Sequence, residues 1–285
     1  MLKKTRFAAA AAAGVAAVLA LTACASGSGS TGEDSGEAAG SSLVAPVTEG
    51  KLTIATGEPA FEPWVVGDDP ESGEGFEAAV AYAVAEKLGY SRDDVVWVRT
   101  TFDAAIAPGP KDFDLNIQQF SVTPERAEVV DFSSPYYETT QAVVAATGSA
   151  AASAKSLADL KGALIGVMSG TTSLKAAEDV IAPSNDVQVF NDNADAVTAL
   201  QTGQVDALVV DLPTAFYVRD AQLEGDGVIV GQLDAAAGDE FAFVLPKSSG
   251  LTADVSAAID ELRVDGTLAE LEQTWLADQG APFLE

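Results

Sequence analysis

The sequence contains no histidine and a single cysteine, Cys24. Those two scarcities exclude whole classes of chemistry. A Ser-His-Asp or Cys-His arrangement lacks its base. Zinc sites built on imidazole or on several thiolates lack their ligands. With one cysteine no disulfide can form within the chain, so its stability must come from its core. Bases are few as well: 15 Lys and Arg stand against 43 Asp and Glu, a formal charge of −28. Nucleic acid is therefore not expected as a partner, because that affinity rests on Lys and Arg neutralising phosphates. The acidity implies solubility and repulsion from anionic surfaces, and identifies no ligand. Asn191-Asp192-Asn193-Ala194-Asp195 is suggestive of a calcium loop but lacks the glycine and the distant glutamate of one. It reads as a loop and helix N-cap, so neither a metal nor a cofactor is expected. No repeat of solenoid period is visible.

The first residues form a separate unit. Lys3, Lys4 and Arg6 precede a small-residue and apolar run from Phe7 to Leu21. The run is short for a membrane span and has the charge order of a secretory signal. It ends in Leu21-Thr22-Ala23-Cys24, which resembles the bacterial lipobox. That resemblance implies cleavage after residue 23, acylation of the Cys24 sulfur, and an extracytoplasmic protein anchored to the cell membrane. The alternative is an ordinary signal peptide with an incidental cysteine. Cleavage would remove three bases and no acid, taking the formal charge from −28 to −31. Residues 24–46 are mostly Gly, Ser, Ala and acids, which cannot bury enough surface to offset ordering. They read as a flexible tether.

From Val47 onward, β-like and helix-like runs alternate, the pattern of an α/β fold. Leu52 to Ala55 reads as a strand. Phe76, Val80, Val84 and Leu88 form one helical stripe, with Gly89 suited to its C-cap. Further strands are expected at Val95–Val98, Asp114–Ile117, Ala163–Met168, Val187–Phe190, Asp206–Val210, Val228–Val230 and Phe241–Leu245. A helix is expected from Gly170-Thr171-Thr172 through Ile181, and another over Ala194–Gln201. Ser156 to Asp159 and Thr267 to Glu270 have capping-box spacing. Two amphipathic helices close the chain, carrying Leu251, Val255, Ile259 and Leu262, then Leu271 and Trp275.

One long combination is highly specific: Ser121-Val122-Thr123-Pro124-Glu125-Arg126, then Val130-Asp131-Phe132-Ser133-Ser134-Pro135-Tyr136-Tyr137. With Gly75-Phe76-Glu77, Gly166-Val167-Met168-Ser169-Gly170-Thr171-Thr172, Val210-Asp211 and Leu245-Pro246-Lys247, it resembles the family 3 extracellular solute-binding proteins of bacterial ABC importers. The resemblance spans about residues 50–278. It implies a type II periplasmic-binding-protein-like fold: two α/β lobes joined by two hinge strands, with ligand in the cleft. Carried onto this chain, lobe one is 47–139 plus 242–285 and lobe two is 140–241. The implied function is capture of an amino acid, polar or cationic, and its delivery to an importer permease by a monomer, without chemistry. A dehydratase-like enzyme on the same scaffold is one alternative; there Glu58, Glu62 or Glu77 would serve as acid or base. A ligand-sensing lobe for a separate receptor is the other.

The residues suit that task on their own chemistry. A buried zwitterion needs an opposite charge and hydrogen bonds at each end. Arg126 can clamp a carboxylate with two parallel N–H bonds, or else pair with Glu125 or Glu128 on an exposed turn. Ser121 would add a hydroxyl. Thr171 and Thr172 begin a helix, where backbone N–H groups suit an anion; equally they are plain N-caps. Asp211, at a strand's C-terminal end, would accept from an ammonium or cap the helix at Leu212. The Gln119 carbonyl would serve the same ammonium, while the side chains of Gln118 and Gln119 either narrow the pocket or turn outward. Family resemblance puts Phe61 against the ligand; Phe102 is ligand contact or core, and Trp64 reads as core. Glu58, if it lines the cleft, favours a cationic or amide ligand side chain. As a solvated loop carboxylate it favours none.

Overall fold

The computed structural model describes residues 46–234, 238–276 and 280–285. The leader, Cys24 and all but the last residue of the tether lie outside the described residues. The first half of the fold alternates β1 (Leu52–Thr56), α1 (Phe76–Lys87), β2 (Val95–Arg99), α2 (Phe102–Ile106), β3 (Leu115–Asn116), α3 (Pro124–Ala127) and β4 (Val130–Phe132). Thr101 starts α2 by accepting from the Ala104 N–H, and Thr123 starts α3 by accepting from the Arg126 N–H. Pro124 then sits where a missing N–H costs nothing. Next come β5 (Tyr137–Thr139), β6 (Gln141–Ala146), β7 (Ile165–Met168), α4 (Thr172–Ala176), β8 (Gln188–Phe190), α5 (Asn193–Gln201), β9 (Ala207–Asp211), α6 (Leu212–Tyr217) and β10 (Gly227–Leu233). β11 (Asp239–Phe241), β12 (Val244–Pro246), α7 (Thr252–Val264) and α8 (Thr267–Trp275) finish the chain.

The strands form two five-stranded sheets, ordered β2-β1-β3-β12-β4 and β10-β6-β9-β7-β8, and a two-stranded ribbon of β5 and β11. This is the two-lobed α/β architecture with two connecting strands. β1 runs parallel to β2 and β3, and β7 parallel to β8 and β9. The second sheet is buried on both faces, and its sequence shows why. Val143 and Ala145 of β6 join Ala207 and Val209 of β9 in one core cluster. Ala142 and Val144 join Leu208 and Val210 in the opposite one. Alternate residues of a strand point to opposite faces, so a continuous apolar run is what a doubly covered strand requires. Lobe one packs Phe76, Val80 and Val84 of α1 against Ile259 and Leu262 of α7 and Leu268 of α8.

Several local expectations differ from the structure. The Phe241–Leu245 strand is two strands, because the chain changes partners within it: β11 pairs with β5, and β12 enters the first sheet beside β4. The helix after Thr171 is regular only to Ala176 and continues as one wider turn over Ala177–Ile181. Ser156 and Asp159 do form a capping box. Thr267 does not: α8 is capped by Gly266, and the Thr267 hydroxyl bonds the Asp265 carboxylate at 2.6 Å. A carboxylate is the stronger acceptor, so the hydroxyl goes to it. The chain end, expected with lobe one, packs on the second sheet. Leu284 N–H donates to Gln232 O at 2.9 Å, Gln232 N–H to Pro282 O at 2.8 Å, and Leu284 lies in the lobe-two core. No helix among the described residues is long and apolar enough to cross a membrane.

Candidate functional site: a polar cleft between the lobes

The parallel strands of both sheets point their C-terminal ends at each other, where open α/β sheets present ligand-contacting residues. A cavity of about 160 Å³ lies between them. An engineered cavity of about 150 Å³ holds benzene, so the space suits a single small molecule and not a peptide. All nine residues singled out in the sequence line it: Glu58, Phe61, Phe102, Gln119, Ser121, Arg126, Thr171, Thr172 and Asp211. Trp64 is in the lobe core, 1% exposed, and its indole N–H reaches across to the Thr214 hydroxyl of α6 at 3.0 Å.

Arg126 is buried, not an exposed turn residue. Its two terminal nitrogens donate to Ser121 O at 2.6 Å and, across the cleft, to Gly170 O at 2.8 Å. Its guanidinium carbon lies 5.3 Å from the Phe102 ring centre, and Phe102 stacks on Phe120 at 4.6 Å. The cation is thus oriented by carbonyls and an aromatic face. Burial pulls its pKa down, opposed by Asp239, Asp211 and Asp103. Arginine nevertheless keeps its charge in proteins.

The two threonines divide their roles. Thr171 is committed to the backbone: its hydroxyl donates to Met168 O at 2.7 Å and accepts the Leu174 N–H. Thr172 faces Ser121 across the cleft, with the hydroxyls 3.2 Å apart. Gly170, just before them, has φ +70° and sits so close to the Asp103 carboxylate of lobe one that a Cβ would overlap it. Only glycine allows the two lobes to approach here.

Gln119 adopts the left-handed region, φ +50°, which is uncommon for a residue with a Cβ. Glu77 holds it there. Its carboxylate accepts the Gln119 N–H at 2.7 Å, and it also accepts from the Gln119 amide and the Tyr136 hydroxyl. The Gln119 amide is therefore tied to Glu77 rather than left free to fill the pocket. Burial raises the Glu77 pKa to about 7, against those hydrogen bonds. Gln118 takes the other course and lines the cavity. Its amide lies over Gly57, where a Cβ would come within 2.8 Å of Nε2, and its buried Oε1 has no hydrogen-bond partner.

Asp211 stands at the α6 N-cap position but makes no side-chain capping bond. Its carboxylate accepts from the Gln141 amide at 2.7 Å instead. Burial first, then the neighbouring Asp239, raises its pKa to about 7. Sequence reasoning missed Thr101, Met168 and Asn191 to Asn193 as lining residues. Their signal was position, each at or just past the C-terminal end of β2, β7 or β8. Among the described residues no group of three or more Asp, Glu, Cys or His could hold a metal ion.

Residues 52–278 match the family described as bacterial extracellular solute-binding proteins, family 3. The chain is similar to the L-arginine-binding protein of Pseudomonas aeruginosa, 28% identical over 77% of this chain and 86% of that one. It is also similar to the glutamine-binding protein GlnH of an ABC transporter of Bacillus subtilis, 27% identical over 92% of this chain and 93% of that one. The solved structure of an ancestral arginine-binding protein bound to glutamine superposes with a TM-score of 0.69 at 32% identity. It covers 81% of this chain and 100% of its own.

Proposed function

Since the chain belongs to the family 3 bacterial extracellular solute-binding proteins, we propose that it captures a free amino acid in the interlobe cleft and hands it to an ABC importer. The observation that carries this reading is the placement of Arg126 and Asp211 on opposite lobes around one small cavity. Arg126 clamps the ligand's carboxylate, with Ser121 and Thr172 adding hydroxyls. Asp211 and the Gln119 carbonyl take the ammonium. Phe61 and Phe102 pack on the ligand, and a ligand touching both lobes favours closure. Glu58, Gln118 and Asp192 add polar and acidic groups to a lining that also holds Pro59, Ala60 and Met168. That favours a ligand side chain with hydrogen-bond donors, cationic or amide. Cys24 carries the lipid that keeps the protein at the membrane, and the protein acts as a monomer.

The enzyme alternative gains no support from the cleft. Glu77, one of the glutamates it would use, is fully engaged by Gln119 and Tyr136, and the lining acid with a raised pKa, Asp211, is held by the Gln141 amide.

The test is thermal denaturation of the full chain against a panel of L-amino acids, amines and dipeptides. A ligand at a thousand times its Kd adds about 4 kcal/mol if it binds only the folded state. A clear upward shift with one class of amino acid is expected, abolished in Arg126→Ala and Asp211→Ala. No shift with any α-amino acid would sink the reading.

A further inference from the structure

Asp211 has a companion that the cavity lining does not show. Gln141, 1% exposed, is the first residue of β6 and pairs in register with Asp211 of β9. Its amide nitrogen donates to Asp211 Oδ1 at 2.7 Å and to Asp239 Oδ2 at 2.6 Å. Its amide oxygen accepts from the Ser173 hydroxyl at 2.7 Å. One neutral side chain thus holds two carboxylates close together at the back of the cleft. Asp239 belongs to β11, one of the two strands that connect the lobes. Arg126, the cation of the lining, spends its described hydrogen bonds on carbonyls, not on either acid.

We propose that Asp239, held by Gln141, is a positioning residue that makes ammonium binding at Asp211 a proton exchange: in the empty cleft Asp211 holds a proton, and the arriving ligand ammonium replaces it. This rests on the amino-acid reading above. The balance is simple. A neutral carboxyl gives its proton to solvent, and the resulting carboxylate accepts an N–H from the ammonium. Two carboxylates around one amide cannot both ionise cheaply away from water. The pKa of Asp211, raised to about 7 by burial and by Asp239, agrees with that geometry. The other charged or titratable groups acting on or with Asp211 are Glu77 from α1, Arg126 from α3, and Tyr136 and Tyr137 at the start of the connecting strand. The tyrosines stay neutral throughout the relevant range, since both have pKa values raised above 10. Glu77 also has a raised pKa and is the rival source of the proton.

The experiment is isothermal titration calorimetry of the full chain with L-arginine and with L-glutamine, which do not themselves titrate between pH 6 and 8. Buffers of different ionisation enthalpy give the protons released per ligand bound. About half a proton is expected at pH 7, falling to about a tenth at pH 8. Affinity should be about tenfold weaker at pH 6 than at pH 8, because only the ionised fraction is competent. Asp239→Asn, which keeps the side-chain shape, should flatten that dependence to less than about threefold. A purely structural role for Asp239 would change affinity equally at every pH, and that result overturns the proposal. So does proton release that survives Asp239→Asn but is lost in Glu77→Gln, which would place the proton on Glu77. Binding heat with no proton release overturns the exchange alone. If neither gives heat, the titration is run with whichever L-amino acid raises the melting temperature; a shift from none removes the amino-acid reading, and the exchange with it.

Discussion

Glu77 is the side chain whose position in sequence says least about its work. It stands at the start of α1, where an acid is ordinarily a helix N-terminal device. Here it is fully buried and holds Gln119 in a left-handed conformation beside the cleft. The sign of its effect on stability follows from its pKa, raised from 4.5 to about 7. Between those values the folded state binds more protons than the unfolded one, so stability falls as pH rises. A shift of that size corresponds to about 3 kcal/mol lost between pH 4 and pH 8. Asp211 acts in the same direction over the same window. The melting temperature of the unliganded protein is therefore expected to drop from pH 5 to pH 8. Glu77→Gln, a neutral isostere, should remove much of the slope. An unchanged slope in that variant would show that Glu77 is ionised throughout.

At the scale of elements, the β7–α4 turn brings the lobes together. It contributes Gly170 O to Arg126, the Ser169 hydroxyl to Asp103 at 3.3 Å, and Thr172 to Ser121. A Cβ at residue 170 would be strained at φ +70° and would press on the Asp103 carboxylate. Gly170→Ala is expected to cost about 1 kcal/mol or more in stability. It should also weaken ligand binding, because the clash exists only when the lobes meet. Double substitution with Asp103→Ala should recover binding more than stability; equal recovery of both would argue against a closure-specific clash. The β11–β12 break belongs to this scale too. Eight consecutive residues serve two sheets because Ala242 and Phe243, both buried, carry the chain from one to the other.

The whole molecule is closed by its last residues. The chain crosses to lobe one at β12, builds α7 and α8 there, and returns to lobe two, where Leu284 packs against Gly231 of β10. Glu285 O accepts the Leu157 N–H at 3.0 Å. Lobe two is therefore tied by three passages of chain, and not only by the two connecting strands. Leu284→Ala should destabilise the protein by about 2–5 kcal/mol, the range for buried leucine truncation, as read by urea denaturation. A cost within about 0.5 kcal/mol, as for a surface site, would mean that the tail does not stay packed.

Much of this was legible in the residue order. The short apolar runs at Leu52, Ile165 and Ala207 read as buried strands and form them, and the run at Val95 forms a half-buried one. The stripe Phe76, Val80, Val84 dictates α1. The absence of histidine and the single cysteine decided what chemistry the chain does not do. The nine lining residues were readable by setting their polar and aromatic chemistry beside the family resemblance, which singled out Phe61, Glu58 and the motif around Arg126. Only the tertiary structure decided how they were used. Where the Gln119 amide turns depends on a carboxylate 42 residues away in sequence. Whether Asp211 caps a helix or meets Asp239 depends on Gln141, which strand pairing places beside Asp211 and whose amide also reaches Asp239. Local pattern fixes which face of an element is apolar. The charge state and contacts of a buried polar group are set by what distant segments bring against it, and that information exists only once the chain has folded.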